Sequence, residues 1–150
     1  NNNLRVGQEL RFPVGTATPT PTLTPAPTLT PTPGPPRPAP ILLAPADGQV
    51  FDGGAEEVIL LNWASVGILG PDEWYVVYVQ RMGRGAEPQL TWTKATSWRL
   101  PPDLYVEGLI EPLRFRWWVS ILRNTGVADD GTPEGEELSP PSEARTFSWE

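Results

Sequence analysis

The residues best equipped for chemistry are five carboxylates close together in the chain: Asp129, Asp130, Glu134, Glu136 and Glu137. Oxygen ligands of this kind suit calcium. Their run, DDGTPEGEE, lacks the D-x-[DN]-x-[DN]-G spacing that wraps a loop around one ion, so it reads as a solvated acidic loop. Two carboxylates can also hydrolyse a glycoside, but only when held across a cleft. Nothing in the spacing places any pair that way. The chain has no histidine and no cysteine. That removes thiolate and imidazole zinc sites, disulfides, and most acyl-transfer machinery. These exclusions point to a non-catalytic protein with no cofactor and no metal. Arginine outnumbers lysine ten to one, which suits planar ion pairs and stacking on aromatic rings.

The elements that would position such residues are unevenly distributed. The chain has 150 residues, of which 20 are proline, and a formal charge of −7. An acidic chain is a poor partner for nucleic acid. No run of about 18 apolar residues exists, so no membrane span is expected. Residues 16–33 contain only threonine, proline, alanine and leucine, whereas all seven tryptophans lie after residue 40. We therefore divide the chain into a head (1–15), a stalk (16–40) and a globular domain (41–150). A domain of 110 residues can bury one core without covalent staples. The chain begins at Asn1, its only methionine is Met82, and no basic segment precedes an apolar run. This reads as a processed or excised product, or a cloning boundary, with no signal peptide.

Proline fixes φ, removes a donor and pushes its predecessor into extended geometry. The stalk is therefore expected to adopt polyproline II, reaching on the order of 75 Å over its 25 residues. Threonine-proline tracts of this kind mark O-glycosylated extracellular stalks. The candidate acceptors are Thr16, Thr18, Thr20, Thr22, Thr24, Thr28, Thr30 and Thr32.

In the head, Leu4, Val6, Leu10, Phe12 and Val14 occupy even positions, and Asn3, Arg5, Glu9 and Arg11 occupy odd ones. Near-strict alternation predicts a strand with one buried face. A lone amphipathic strand cannot bury that face itself, so it must pair with a sheet edge. The stretch NNLRVGQELRFP resembles the end of a LysM module: Asn2, Leu4, Gly7, Gln8, Leu10 and Pro13 match, while Phe12 replaces an aliphatic residue. The resemblance implies an extracellular, bacterial cell-surface context. It implies no binding residues, because only about the last 13 residues of such a module have counterparts here.

After residue 40, eight short runs are separated by turn residues: ILLAP (41–45), QVF (49–51), VILLNWA (58–64), EWYVVYVQR (73–81), QLTWTKA (89–95), SWRL (97–100), LRFRWWVSILR (113–123) and ARTFSW (144–149). Strands at this spacing predict an all-β sandwich. A helix over 103–111 is weakened by Gly108 and Pro112. Leu61-Asn62-Trp63, the alternation of Tyr75, Val77 and Val79, the run Phe115 to Val119, and Ser142, Glu143, Arg145 and Phe147 resemble a fibronectin type III domain. Leu109 and Phe115 have the spacing of that family's leucine and corner tyrosine, with phenylalanine in place of the tyrosine. The resemblance implies a single antiparallel β-sandwich, preceded here by an extended N-terminal strand and a polyproline-type stalk.

With Ile59, Leu61, Trp63, Tyr75, Val77, Val79, Phe115, Trp117, Val119 and Ile121 inward, the opposite face carries Trp74, Val76, Tyr78, Trp118 and Leu122. That face is not polar, as a half-solvated sheet should be. Exposed aromatic patches mark interfaces, and Trp74, Tyr78 and Trp118 are the candidates. The expected function is that of a structural subunit of an extracellular filament or array. The head strand (Leu4, Val6, Leu10, Phe12, Val14) of one chain would add to a neighbouring sandwich, giving a head-to-tail homopolymer. The alternative is a cell-envelope module that binds a glycan or a protein.

Overall fold

The computed structural model describes Gly15, residues 36–83 and residues 85–150. The domain is an all-β sandwich. One sheet has three strands: β1 (Leu42–Ala44), β3 (Leu60–Trp63) and β6 (Ser97–Arg99), in the order β1-β3-β6. The larger sheet contains β2 (Gln49–Phe51), β4 (Glu73–Arg81), β5 (Gln89–Thr93), β7 (Leu113–Val127), β8 (Pro133–Glu137) and β9 (Arg145–Trp149). Its order is β2-β9-β7-β4-β5, with β8 paired to the far half of β7. The only helical turns among the described residues are two short 3-10 segments, Gly54–Glu56 and Pro102–Leu104. Gly108 and Pro112 accordingly lie in a loop, not a helix.

Alternation along the strands builds the core. The ten residues expected to face inward are each at most 3% exposed. Leu42, Leu100, Leu113, Leu138, Phe147 and Trp149 complete the cluster. Phe115 stacks on Phe147 with ring centroids 5.2 Å apart. The residue expected as the corner aromatic thus packs by its face, with no hydroxyl needed. Leu109, paired with it in the sequence pattern, is instead 47% exposed in the loop before β7. Tyr105 takes the inward place, packed against Trp149 at 5.2 Å.

Two features depart from a purely antiparallel sandwich with a solvated acidic loop. The first strand region switches sheets at residues 45–48, where Gly48 adopts φ +76°. A side chain is strained at that angle. The chain then runs as β2 parallel to β9, with Gln49 opposite Phe147 and Phe51 opposite Trp149. Asp47 fastens the switch by accepting from the Thr146 amide (2.7 Å) and hydroxyl (2.9 Å). Secondly, Glu134, Glu136 and Glu137 are not in a loop; they form β8, hairpin partner of β7. Strand propensity does not explain PEGEE; the tight turn at 128–132 and the unpaired flank of β7 do.

Between β8 and β9 the sequence Ser139-Pro140-Pro141-Ser142 interrupts the ladder, because the prolines have no amide to donate. The two serines replace what is lost. Ser139 Oγ accepts from the Ile121 amide (2.9 Å) and Ser142 Oγ from the Val119 amide (3.0 Å), and both hydroxyls are buried. Replacing Ser142 by alanine strands a buried N–H. We expect a loss of about 1–3 kcal/mol, seen as a lower urea midpoint at unchanged slope.

Residues 36–40, read above as the end of the stalk, are held by the sandwich. The Arg37 amide donates to Leu138 O (2.9 Å), and its guanidinium donates to Ile68 O (3.0 Å) and pairs with Glu73. The Gly70 amide, and then Arg37, hold the Glu73 carboxyl below its ordinary value of 4.5. The Thr146 amide and hydroxyl likewise lower Asp47, and the Thr132 amide lowers Asp130, from 3.8. A carboxyl depressed on folding stabilises above its unfolded pKa and loses that contribution as pH falls through the folded value. Stability is therefore expected to be level above about pH 5 and to fall below about pH 4. The fall is modest, because these groups lie near solvent. Urea midpoints measured across that range would check it.

Candidate functional site

The outer face of the larger sheet is built by the residues of β4, β5 and β7 that alternate with the core. The strand register sets Trp74 opposite Leu122, Val76 opposite Ser120 and Tyr78 opposite Trp118. On the other side of β4, Leu90 lies opposite Tyr78 and Trp92 opposite Val76. Trp74, Tyr78 and Trp118, the three expected patch residues, thus share one face and are half-buried. Val76 and Leu122 share that face but are not open to solvent: they are 0% and 7% exposed.

Trp92 supplies part of the cover. A Cβ built on Gly135 would stand 2.5 Å from the Trp92 ring, 2.9 Å from Arg123 O and 3.2 Å from Leu122 Cβ. The indole therefore reaches across the face to β8, and only glycine fits beneath it. Spacing within QLTWTKA could have placed Trp92 on this side; what was missing was the register of β5 on β4.

The rings are partly occupied by their own molecule. Tyr78 and Trp118 form an offset stack, with centroids 5.1 Å apart and planes 4° from parallel. The Arg116 guanidinium carbon lies 5.4 Å from the Trp118 centroid. Lys94, the only lysine, places Nζ 4.4 Å from the Trp74 centroid and donates to Gly70 O (2.7 Å), Pro71 O (3.0 Å) and Glu73 O. Burial, and then the charge of Glu137, push the Tyr78 hydroxyl above its ordinary range, so it stays protonated.

Beside this face lies a sheet edge. Proteins blunt their edges with short strands, charges, prolines and bulges, because bare edges recruit other strands. Among the described residues, β1, β2 and β6 are three residues long, and β8 reads PEGEE. β5 is the exception: five residues, Gln-Leu-Thr-Trp-Thr, with no charge, no proline and good strand propensity. The nearest charge, Lys94, is drawn over the Trp74 ring on the outer face and onto three carbonyls.

No protein-family model and no curated protein sequence matches the chain. The site stands on its geometry.

Among the described residues, no group of three or more acidic, histidine or cysteine side chains is arranged to hold a metal ion. Likewise, no helix there is long and apolar enough to cross a membrane. The assembly-strand residues Leu4, Val6, Leu10, Phe12 and Val14, and the stalk threonines 16–32, lie outside the described residues. Among the described residues the buried polar side chains are Ser120, Ser139 and Ser142, and two of these serve the backbone of β7. What this arrangement offers is an apolar face and an open edge.

Proposed function

We propose that this chain is a non-catalytic structural module of the bacterial cell surface, related to fibronectin type III domains. In this reading it assembles by accepting the N-terminal segment of a neighbouring copy as an extra strand. The observation that carries the reading is the unguarded edge of β5. A strand added there gains main-chain hydrogen bonds, and its alternate side chains meet different surroundings. Leu90 and Trp92 lie on the outer side of β5, and Gln89, Thr91 and Thr93 on the inner side. The apolar set Leu4, Val6, Leu10, Phe12 and Val14 matches the first side, and Arg5, Glu9 and Arg11 the second.

Chain length allows a neighbour to be the acceptor. Arg37 is tied to Glu73, the first residue of β4, one strand from β5. In polyproline geometry a spacer as long as residues 16–36 spans about 65 Å, enough for a head to reach the β5 edge of another copy. O-glycans on the stalk threonines would stiffen it further.

Leu90→Lys tests the edge. Leu90 is 47% exposed, so the fold should tolerate the change to within about 0.5 kcal/mol. Assembly, followed by sedimentation velocity, should be lost. Unchanged assemblies would remove β5 from the proposal.

A second reading is a cell-envelope binding module, and the half-exposed rings of Trp74, Tyr78 and Trp118 favour it. Aromatic faces stack on sugars and on proline-rich segments alike. Retention of a monomeric chain on insoluble glycan, lost in Trp118→Ala, would select this second reading.

A further inference from the structure

The two poles of the sandwich differ in charge: one carries exposed acids on a ribbon, the other arginines beside a groove. At the pole where Arg37 meets Glu73, β4 pairs with β7 only as far as Glu73 opposite Arg123. Beyond that rung, Asn124–Val127 pairs with β8 alone, forming a ribbon that overhangs the sheet. The ribbon is ordered by its own bonds: the Ala128 amide donates to Thr132 O (2.8 Å), and the Gly131 amide to Ala128 O (2.9 Å). Its exposed side chains include Val127, Asp129, Asp130 and Glu134. None of these three acids has an ion-pair partner among the described residues.

The opposite pole has a groove between the end of β4 and the loop entering β7. Met82 (51% exposed), Leu109, Ile110 and Pro112 give it an apolar lining. Arg81 and Arg114 flank it, and neither has an ion-pair partner among the described residues. Glu111 is the one acid on its wall.

We infer that the β7–β8 ribbon of one copy seats in the Arg81–Arg114 groove of a second copy. Val127 meets Met82 and Leu109, while Asp129, Asp130 and Glu134 meet the two guanidinium groups. A molecule cannot fill its own groove. Ribbon and groove lie at opposite ends of β4, which spans about 27 Å. Each docked copy leaves one ribbon and one groove free, so the contact is heterologous and propagates instead of closing. It uses nothing from residues 1–14, and so it stands or falls separately from strand addition at β5. A ribbon tip is a small surface, which makes the contact weak alone and strengthening when the head tethers two copies together.

The test is sedimentation of the full chain and of a chain lacking residues 1–14, at high protein concentration and at low and high ionic strength. Both should self-associate, and added salt should weaken that association. Arg81→Glu/Arg114→Glu and Asp129→Lys/Glu134→Lys should each reduce association about 10-fold or more. An equimolar mixture of the two reversed variants should regain it. All four positions are exposed, and unchanged urea midpoints would show that the fold is intact. Association unaffected by either reversal overturns the inference, as does a mixture that stays monomeric. A head-deleted chain that is monomeric at every concentration also overturns it, and leaves the β5 proposal standing.

Discussion

Deleting residues 1–14 is expected to leave monomers at concentrations where the intact chain forms long assemblies. The segment carries five apolar side chains on one side of an alternating run, and it cannot shelter them alone. Added to β5, it pairs its backbone and extends the apolar outer face that already carries Leu90 and Trp92. Neither gain is open to the truncated chain. Its sandwich should keep the same urea midpoint, because the described core contains no residue before Leu42. Electron microscopy and sedimentation velocity read the difference directly. Fibres that persist in the truncated chain with the morphology of the intact one would exclude strand addition as their basis. The ribbon contact predicts only weak, salt-sensitive association in that variant.

The second large effect falls on the core. Trp117→Ala should destabilise the domain by about 3–5 kcal/mol, from a typical total of about 5–15 kcal/mol. Trp117 is fully buried, opposite Val79 on one neighbouring strand and Arg145 on the other. Its removal opens a void where both sheets meet. Trp117→Phe should cost clearly less. The Trp117 indole N–H is buried without a partner among the described residues, as is that of Trp63. Losing an unsatisfied donor offsets part of the lost contact area. Trp149, whose indole N–H donates to Gly54 O at 2.7 Å, offers no such relief. Urea unfolding of the three Phe variants should rank Trp149 as the most costly. An equal or reversed ranking would contradict the role given to the orphan donors.

The strands were legible because period-two alternation is a local signal, and each of the eight runs contains a strand. EWYVVYVQR corresponds residue for residue to β4. The core followed from the same alternation. Pairing was not legible. β8 has no strand signature, and it exists because the turn at 128–132 returns the chain along β7. The parallel partnership of β2 with β9 depends on a sheet switch that residues 45–48 do not announce. The candidate face was half legible: Trp74, Tyr78 and Trp118 could be placed by counting along their own strands. That Trp92 joins them, and that Val76 and Leu122 lie covered, depends on how β5 and β8 sit beside those strands. Leu109 misled because spacing cannot tell whether a loop residue turns in or out.

The parallel pair β2–β9 has a mechanical consequence. Arg37 enters at one pole, and Glu150 lies at the other, where its amide donates to Phe51 O (2.8 Å) and its carbonyl accepts from Gly54 N (2.9 Å). Tension between those two points pulls β2 and β9 lengthwise in opposite directions. Every rung between them is then sheared together, not peeled one by one. The Asp47 bonds to Thr146, and the Arg145 bonds to Leu43 O and Pro45 O at 3.0 Å each, lie in the same seam. Such a seam is expected to hold as one unit under load and then to give way at once.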